Sequence, residues 1–189
     1  PYSWAAATPL SNFEANMDYR DVEDPSIFFQ LEARNDFNDI RKGDYFLVWT
    51  TTPWCIPANL AIAVGRDINY SRVKIDSQYY WIATERLHEL DNYDYSVQGS
   101  CDGENMIGGE YIPAYSEFEK ENIGKAFKLI HSDDTNTGSG SGLVSQAPSY
   151  GESDFYCLKN AGITVIVDPV TLAGKFCLLY TSDAADERS

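Results

Sequence analysis

Tyr45-Phe46-Leu47-Val48-Trp49-Thr50-Thr51-Thr52-Pro53-Trp54-Cys55-Ile56-Pro57 is the stretch that decides how this chain folds. Tyr45 to Trp49 is a continuous apolar run preceded by the turn signal Lys42-Gly43-Asp44, which is the pattern of a buried strand. Three threonines follow, and Pro53 then removes a backbone donor and ends the ladder. Side chains alternate across a strand, so Thr50 and Thr52 share a face. At the rim of a pocket their hydroxyls would hold a polar substrate or a water. Threonines are also ordinary strand-end residues, and the run alone leaves both uses open.

Outward from this stretch the chain alternates short apolar runs with turn signals. On the N-terminal side, Asp24-Pro25-Ser26 precedes the strand pattern Ile27-Phe28-Phe29-Gln30-Leu31, and Tyr2 to Asn12 reads as a loop or edge strand. On the C-terminal side, strands are expected over Asn59–Val64, Tyr70–Ile75 and Tyr79–Ala83, with Gly65-Arg66-Asp67 between the first two. Thr84–Leu90 reads as helical, with Leu87 and Leu90 three residues apart. Further strands are expected over Ala126–His131, from Leu143-Val144 until Pro148 stops it, and over Ile163–Val167. Asp133–Gly142 is a polar, glycine-rich loop, and Glu152–Ala161 is a helix closed by Gly162. No internal repeat is present. Many short strands with few helices predict an α/β domain with a β-barrel-like core and peripheral helices.

The 189 residues, 43% hydrophobic and 14% aromatic, suffice for a real core and exclude a disordered chain. No run of about 18 apolar residues predicts a membrane span. The opening Pro1-Tyr2-Ser3-Trp4 has neither the basic region nor the apolar run of a signal peptide, and without Met the native start is expected upstream. The formal net charge of −15 repels nucleic acid at long range, so a nucleic-acid end would have to be brought in by basic surfaces elsewhere. Cys55, Cys101, Cys157 and Cys177 form no Cys-x-x-Cys pair, which speaks against a zinc site. Reduced thiols and a cytoplasmic setting are expected. With only His88 and His131 available, and His88 read as a solvated helix residue, a histidine-based mechanism has little to draw on.

A second constellation runs Gly138-Ser139-Gly140-Ser141-Gly142-Leu143-Val144-Ser145-Gln146-Ala147-Pro148-Ser149-Tyr150-Gly151-Glu152-Ser153-Asp154-Phe155. Its glycines permit close backbone approach, yet their spacing matches neither phosphate-binding fingerprint. Asp154 falls in the first turn of the expected helix, whose N-terminus favours a carboxylate by typically ~0.3–1 kcal/mol. Such a carboxylate is either an ordinary first-turn acid or the partner of an ammonium group. Ser145, Cys55 and Cys157 have no evident histidine base, so no nucleophilic triad is read here.

Taken together, these segments resemble the editing domain of class I aminoacyl-tRNA synthetases for branched aliphatic amino acids. Trp49-Thr50-Thr51-Thr52-Pro53-Trp54 with Ile56-Pro57-Ala58-Asn59-Leu60-Ala61 is similar to the family's threonine-rich motif. Gly140-Ser141-Gly142-Leu143-Val144, Gln146-Ala147-Pro148, Tyr150-Gly151 and Asp154 are similar to its second motif. Pro1-Tyr2-Ser3-Trp4, Thr8 to Glu14 and Asp24-Pro25-Ser26-Ile27 resemble the isoleucyl branch, and the likeness continues through Ala161-Gly162-Ile163, Asp168-Pro169-Val170 and Ala173 to Phe176. The resemblance implies a β-barrel-like domain that hydrolyses valyl-tRNA formed in error on isoleucine tRNA. It implies catalytic roles for Thr50, Thr51, Thr52 and Asp154. It implies a substrate pocket drawing on Trp54, Cys55, Gly142, Ser145, Gln146, Ala147, Pro148, Tyr150 and Gly151. No metal or cofactor is expected in this chain; ATP and magnesium belong to the synthetic site of the parent enzyme, whose signatures are missing here. Isoleucine tRNA and the rest of the synthetase are the implied partners, with no membrane. Ser145 stands where the family usually has histidine, and Cys55 where it usually has threonine. A binding-only or editing-impaired module, and a leucyl or valyl editing domain, are the alternatives.

The domain is expected over residues 1–176. Cys177 to Ser189 resembles translated sequencing adaptor; a natural helical tail is the other reading of Asp183-Ala184-Ala185-Asp186-Glu187. Removing this tail leaves a formal charge of −13, still strongly acidic.

Overall fold

A computed structural model describes residues 2–3, 8–9, 11, 26–115 and 125–170. The chain divides into two compact units, Ser26–Asp168 and Pro1–Pro25 with Pro169–Ser189. In the latter, β1 (Tyr2–Ser3) pairs antiparallel with β2 (Thr8–Pro9), the edge-strand alternative of the sequence reading. The suspected tail lies outside the described residues.

Ser26–Asp168 is built on one mixed sheet of eight strands. These are β3 (Ile27–Glu32), β4 (Tyr45–Thr50), β5 (Ala61–Val64), β6 (Asn69–Ile75), β7 (Gln78–Ala83), β8 (Tyr95–Asp102), β9 (Lys128–His131) and β10 (Leu143–Gln146). Their order is β8-β6-β7-β4-β10-β5-β9, with β3 also on β4. β4 is the branch point. It pairs with β3 antiparallel along its whole length, from Glu32↔Tyr45 to Ile27↔Thr50. Its other edge is divided, with β7 beside Tyr45 and Phe46 and β10 beside Trp49. Splitting one edge between two strands makes the sheet turn, as a barrel-like core requires.

Burial along β4 alternates. Phe46, Val48 and Thr50 are buried while Tyr45, Leu47 and Trp49 are half-buried, so the apolar run codes for one core face with a second, partly covered face. β5 is buried at all four positions, as expected for a strand inside the sheet. α1 (Glu152–Asn160) packs near β10 and ends before Gly162, whose φ of +76° is the left-handed conformation the sequence calls for there. It is the sole α-helix among the described residues, and no helix among them is long and apolar enough to cross a membrane.

Three expectations change. Ile163–Val167 forms no strand; Ile163 and Val167 are buried beside exposed Thr164 and Ile166, so its alternation serves packing without a ladder. Thr84–Leu90 is a 3-10 helix, in which residues three apart stack and the Leu87/Leu90 spacing fits. β8 went unread because Ser96 to Ser100 are all exposed; β6 holds it in register, with an irregularity between Arg72 and Val73.

A buried carboxylate ties the sheet together. Asp44, 1% exposed, accepts from Arg72 Nε at 2.8 Å and Nη2 at 2.6 Å, from Trp81 Nε1 at 3.0 Å and from the Arg41 amide at 3.0 Å. Arg72 also stacks on Tyr79, 3.8 Å from the ring centroid. Four donors on one carboxylate compensate its desolvation.

Candidate active site

β4 ends at Thr50, and a 3-10 turn, Pro53–Ala58, folds the chain back on it. The Thr52 amide donates to Thr50 Oγ1 at 3.1 Å, and the two threonine hydroxyls lie 3.2 Å apart. The Cys55 thiol sits 3.0 Å from Thr52 Oγ1 and 3.7 Å from Thr50 Oγ1. Thr50, Thr52 and Cys55 are therefore one cluster of hydrogen-bonding side chains. Thr51 and Trp54, from the same motif, are exposed and stand apart from it.

β10 brings the second motif alongside. The Val144↔Trp49 register puts these two on one face, and so places Ser145 and Thr50 on the other. Ser145 is buried, and its Oγ accepts from Asn59 Nδ2 at 2.9 Å. Asn59 Nδ2 also donates to the Ala61 carbonyl at 2.8 Å, and Tyr111 Oη donates to Asn59 Oδ1 at 2.5 Å. Burial pushes the Tyr111 hydroxyl well above its usual range, so it stays protonated and a donor. His131 Nε2 lies 2.9 Å from Asp133 Oδ1. Gln146, also buried, turns its Nε2 to the Ser145 carbonyl at 3.3 Å.

Past the strand, the chain turns at Ala147 and enters α1 with Gly151 as its N-cap. Asp154 folds back from the first turn and accepts the Ala147 amide at 2.9 Å. Ala147 is also where the two motifs touch: Cys55, Ala58 and Ala147 form a small core against which Tyr150 packs. Burial raises the Asp154 carboxyl above its ordinary value, opposed by the Ala147 amide and the Ser153 hydroxyl. With Val144 and Gln146 it lines a cavity of about 90 Å³. A Cβ at Gly151 would lie 3.0 Å from Asp154 Cγ, so the glycine leaves room for the carboxylate.

Gly142 is placed by packing. Its φ is +74°, a Cβ there would come within 2.5 Å of Ala83 Cβ, and its carbonyl accepts from Tyr70 Oη at 2.7 Å. Pro148 is buried and, with Phe155 and Ile163, walls a separate small cavity. The sequence places Asn59 only within the threonine-rich motif and gives neither it nor Tyr111 a role. Asn59 had a signal, a lone polar residue before the apolar run Leu60–Val64; Tyr111 had none. No group of three His, Cys, Asp or Glu that could hold a metal ion occurs among the described residues.

The turning mixed sheet is the fold of aminoacyl-tRNA synthetase editing domains. Over 77% of its length the chain superposes on 66% of GlLeuRS-CP1 with a TM-score of 0.60 at 13% identity. It covers 65% of the P. falciparum cytosolic leucyl-tRNA synthetase editing domain with a TM-score of 0.55 at 12% identity. In sequence, nearly the whole chain is homologous to one segment of isoleucine–tRNA ligases. It is 38% identical to that of Protochlamydia amoebophila over 180 residues, 93% of this chain. It is 37% identical to that of Bdellovibrio bacteriovorus over 183 residues and 36% to that of Mycobacterium leprae over 183. The chain spans 17% of the length of these relatives. No family model matches it.

Proposed function

We propose that this chain is the post-transfer editing part of an isoleucine–tRNA ligase and hydrolyses the ester of valyl-tRNA formed in error on isoleucine tRNA. The observation that carries the reading is Asp154. Its carboxylate is half-buried and held by the Ala147 amide, on the residue that packs against Cys55 of the threonine cluster. Burial makes its charge unfavourable, and an arriving ammonium group offsets that cost; a free α-amino group beside the ester carbonyl is what an aminoacyl ester offers and a peptidyl ester does not. Thr50, Thr52 and Ser145 then shape the rest of the pocket and hold the ester and a water. The water oxygen adds to the ester carbonyl carbon, the ester C–O bond breaks, and the ribose oxygen leaves with a proton. No covalent enzyme intermediate is needed, because orientation is the main contribution required.

The need for such a site is physical. One missing methylene is worth only about 1–3 kcal/mol of discrimination, a limit for which isoleucine against valine is itself the standard example. A second site must accept the smaller product. ATP, magnesium and amino-acid activation belong to the rest of the parent enzyme, in the cytoplasm. The substitution Ser145 favours a second reading, a domain that binds the acceptor end without turnover. Single-turnover deacylation of valyl-, leucyl- and isoleucyl-tRNA by the full-length protein separates them. Preferential hydrolysis of valyl-tRNA supports editing; binding with no hydrolysis of any ester supports the second reading.

A further inference from the structure

On the face of β4 opposite Thr50, the sheet carries a groove that the editing chemistry does not use. Leu47 lies on that face. With Phe28, Ile75, Tyr80, Tyr93 and Glu89 it walls a cavity of about 360 Å³, wholly within Ser26–Asp168. Its floor is a buried cluster of Val73, Ile82 and Leu90. Its rim is open to solvent, with Phe28 44% and Tyr93 59% exposed. Exposed aromatic side chains gathered around an apolar cavity mark a surface that another group covers.

Charge says what can cover it. Glu89 engages Arg86 through Oε1, which also lies 3.6 Å from His88 Nε2. Its Oε2 has no partner among the described residues, and the side chain, 31% exposed, holds that open acceptor at a mostly apolar wall. Asp76, next to Ile75, and Asp91 and Asp94, on either side of Tyr93, are exposed acids. The nearby cations are committed elsewhere. Arg86 Nε donates to the Gly140 carbonyl at 2.8 Å, and Lys74 lies over the Tyr79 ring on the other face of β6. A carboxylate beside aromatic rings suits a guanidinium or an ammonium. A second copy of this chain at −15, a nucleic acid and an anionic lipid surface carry the wrong sign. A basic, apolar stretch of protein has the right one.

Size narrows its source. A few side chains fill about 360 Å³, far short of the roughly 800 Å² per partner that stable complexes of separate proteins bury. A segment on the same polypeptide needs much less, because a tether supplies an effective concentration in the mM range. The isoleucine–tRNA ligases have the length to provide one, since this chain spans 17% of theirs.

We propose that the groove receives an apolar segment of the parent synthetase, from outside these 189 residues, which brings a lysine or arginine to Glu89 and the Tyr80 and Tyr93 rings. This docking rests on the chain being part of such a ligase, and is independent of whether it hydrolyses an ester. It seats the domain on its parent by one face and leaves the Thr50 face open.

The test uses the full-length protein with the photo-crosslinker p-benzoylphenylalanine in place of Phe28 or of Tyr93, followed by mass spectrometry of the digested product. Both positions should crosslink within one polypeptide, to the same peptide outside these 189 residues, apolar and of net positive charge. Glu89→Gln should lower the yield at Tyr93 by at least about threefold, because a charge-assisted contact is lost. A crosslink between two polypeptides, to tRNA or within the 189 residues would overturn the docking, and so would no crosslink at either position. A captured peptide of net negative charge, or an unchanged yield with Glu89→Gln, would overturn it as well. Valyl-tRNA deacylation is measured beside them. Normal hydrolysis with an uncovered groove removes the docking and leaves editing standing; a covered groove in a protein that hydrolyses no ester does the reverse.

Discussion

At the residue scale, Asp154 concentrates the chemistry because its environment works against its charge. Its carboxyl is raised above the ordinary 3.8 by burial. The native state thus holds this proton more tightly than the unfolded chain, and the stability this gives is complete below the unfolded value and lost as pH rises through the folded one. Asp154→Asn keeps an acceptor for the Ala147 amide and removes the ionisation. Its stability relative to wild type should therefore grow as pH rises from the acid range to neutrality, in urea unfolding at several pH values; a constant difference would contradict this origin of the shift. Editing should respond oppositely, with valyl-tRNA hydrolysis reduced about a hundredfold or more and isoleucine activation by the full-length protein retained. Gly151 tests the same carboxylate without touching it. Its φ of −140° suits any residue, so Gly151→Ala costs the backbone little. The added Cβ stands 3.0 Å from Asp154 Cγ and 3.2 Å from each oxygen, and the carboxylate must give way by a few tenths of an ångström. We expect hydrolysis to fall by about tenfold while stability stays within about 1 kcal/mol. An unchanged rate would show that the carboxylate position has slack.

At the scale of elements, β4 does two jobs, and Asp44 at its start secures one of them. This carboxylate receives Arg72 from β6 and Trp81 from β7, so it holds the half of the sheet that β4 grips at Tyr45 and Phe46. The other end of β4 carries Thr50. Asp44→Ala leaves a mostly buried guanidinium and an indole N–H without their acceptor and should cost roughly 3 kcal/mol by denaturant unfolding. A loss under 1 kcal/mol would mean that β6 and β7 hold their register without it. The strands were legible where apolar runs are bounded by turns, as at Tyr45–Trp49 and Tyr70–Ile75. β8 was not, because an exposed strand at the end of the sheet order takes its place from hydrogen bonds to β6 and leaves no hydrophobic pattern. In the site, the threonine run and the Asp154 motif were legible as local patterns. The Asn59–Tyr111 bond joins residues 52 apart in sequence, and no local pattern announces such a contact. Ile163–Val167 shows the converse: alternation can mark which side packs without any partner strand.

At the scale of the whole molecule, charge sets what this domain can do alone. Cys177–Ser189 is proposed to be adaptor-derived; its deletion should leave the denaturation midpoint nearly unchanged, and a loss of several kcal/mol would show that it is native structure. The larger question is how a chain of net charge −15 meets a polyanion. Nucleic-acid binding normally weakens as salt rises, because cationic side chains release counterions from phosphates. This domain has the opposite long-range field, and its repulsion from tRNA extends over about 30 Å at 0.01 M salt but only about 8 Å at 0.15 M. The isolated chain should therefore take up charged tRNA more readily as salt is raised across that range. The full-length protein, in which basic surfaces beyond this segment are proposed to deliver the acceptor end, should show the ordinary weakening. Half-saturation for valyl-tRNA deacylation, measured for both at several salt concentrations, gives the two slopes directly. Weakening of the isolated chain with salt as steep as that of the full-length protein would mean that this domain carries its own phosphate contacts, and that its acidity does not govern how the substrate arrives.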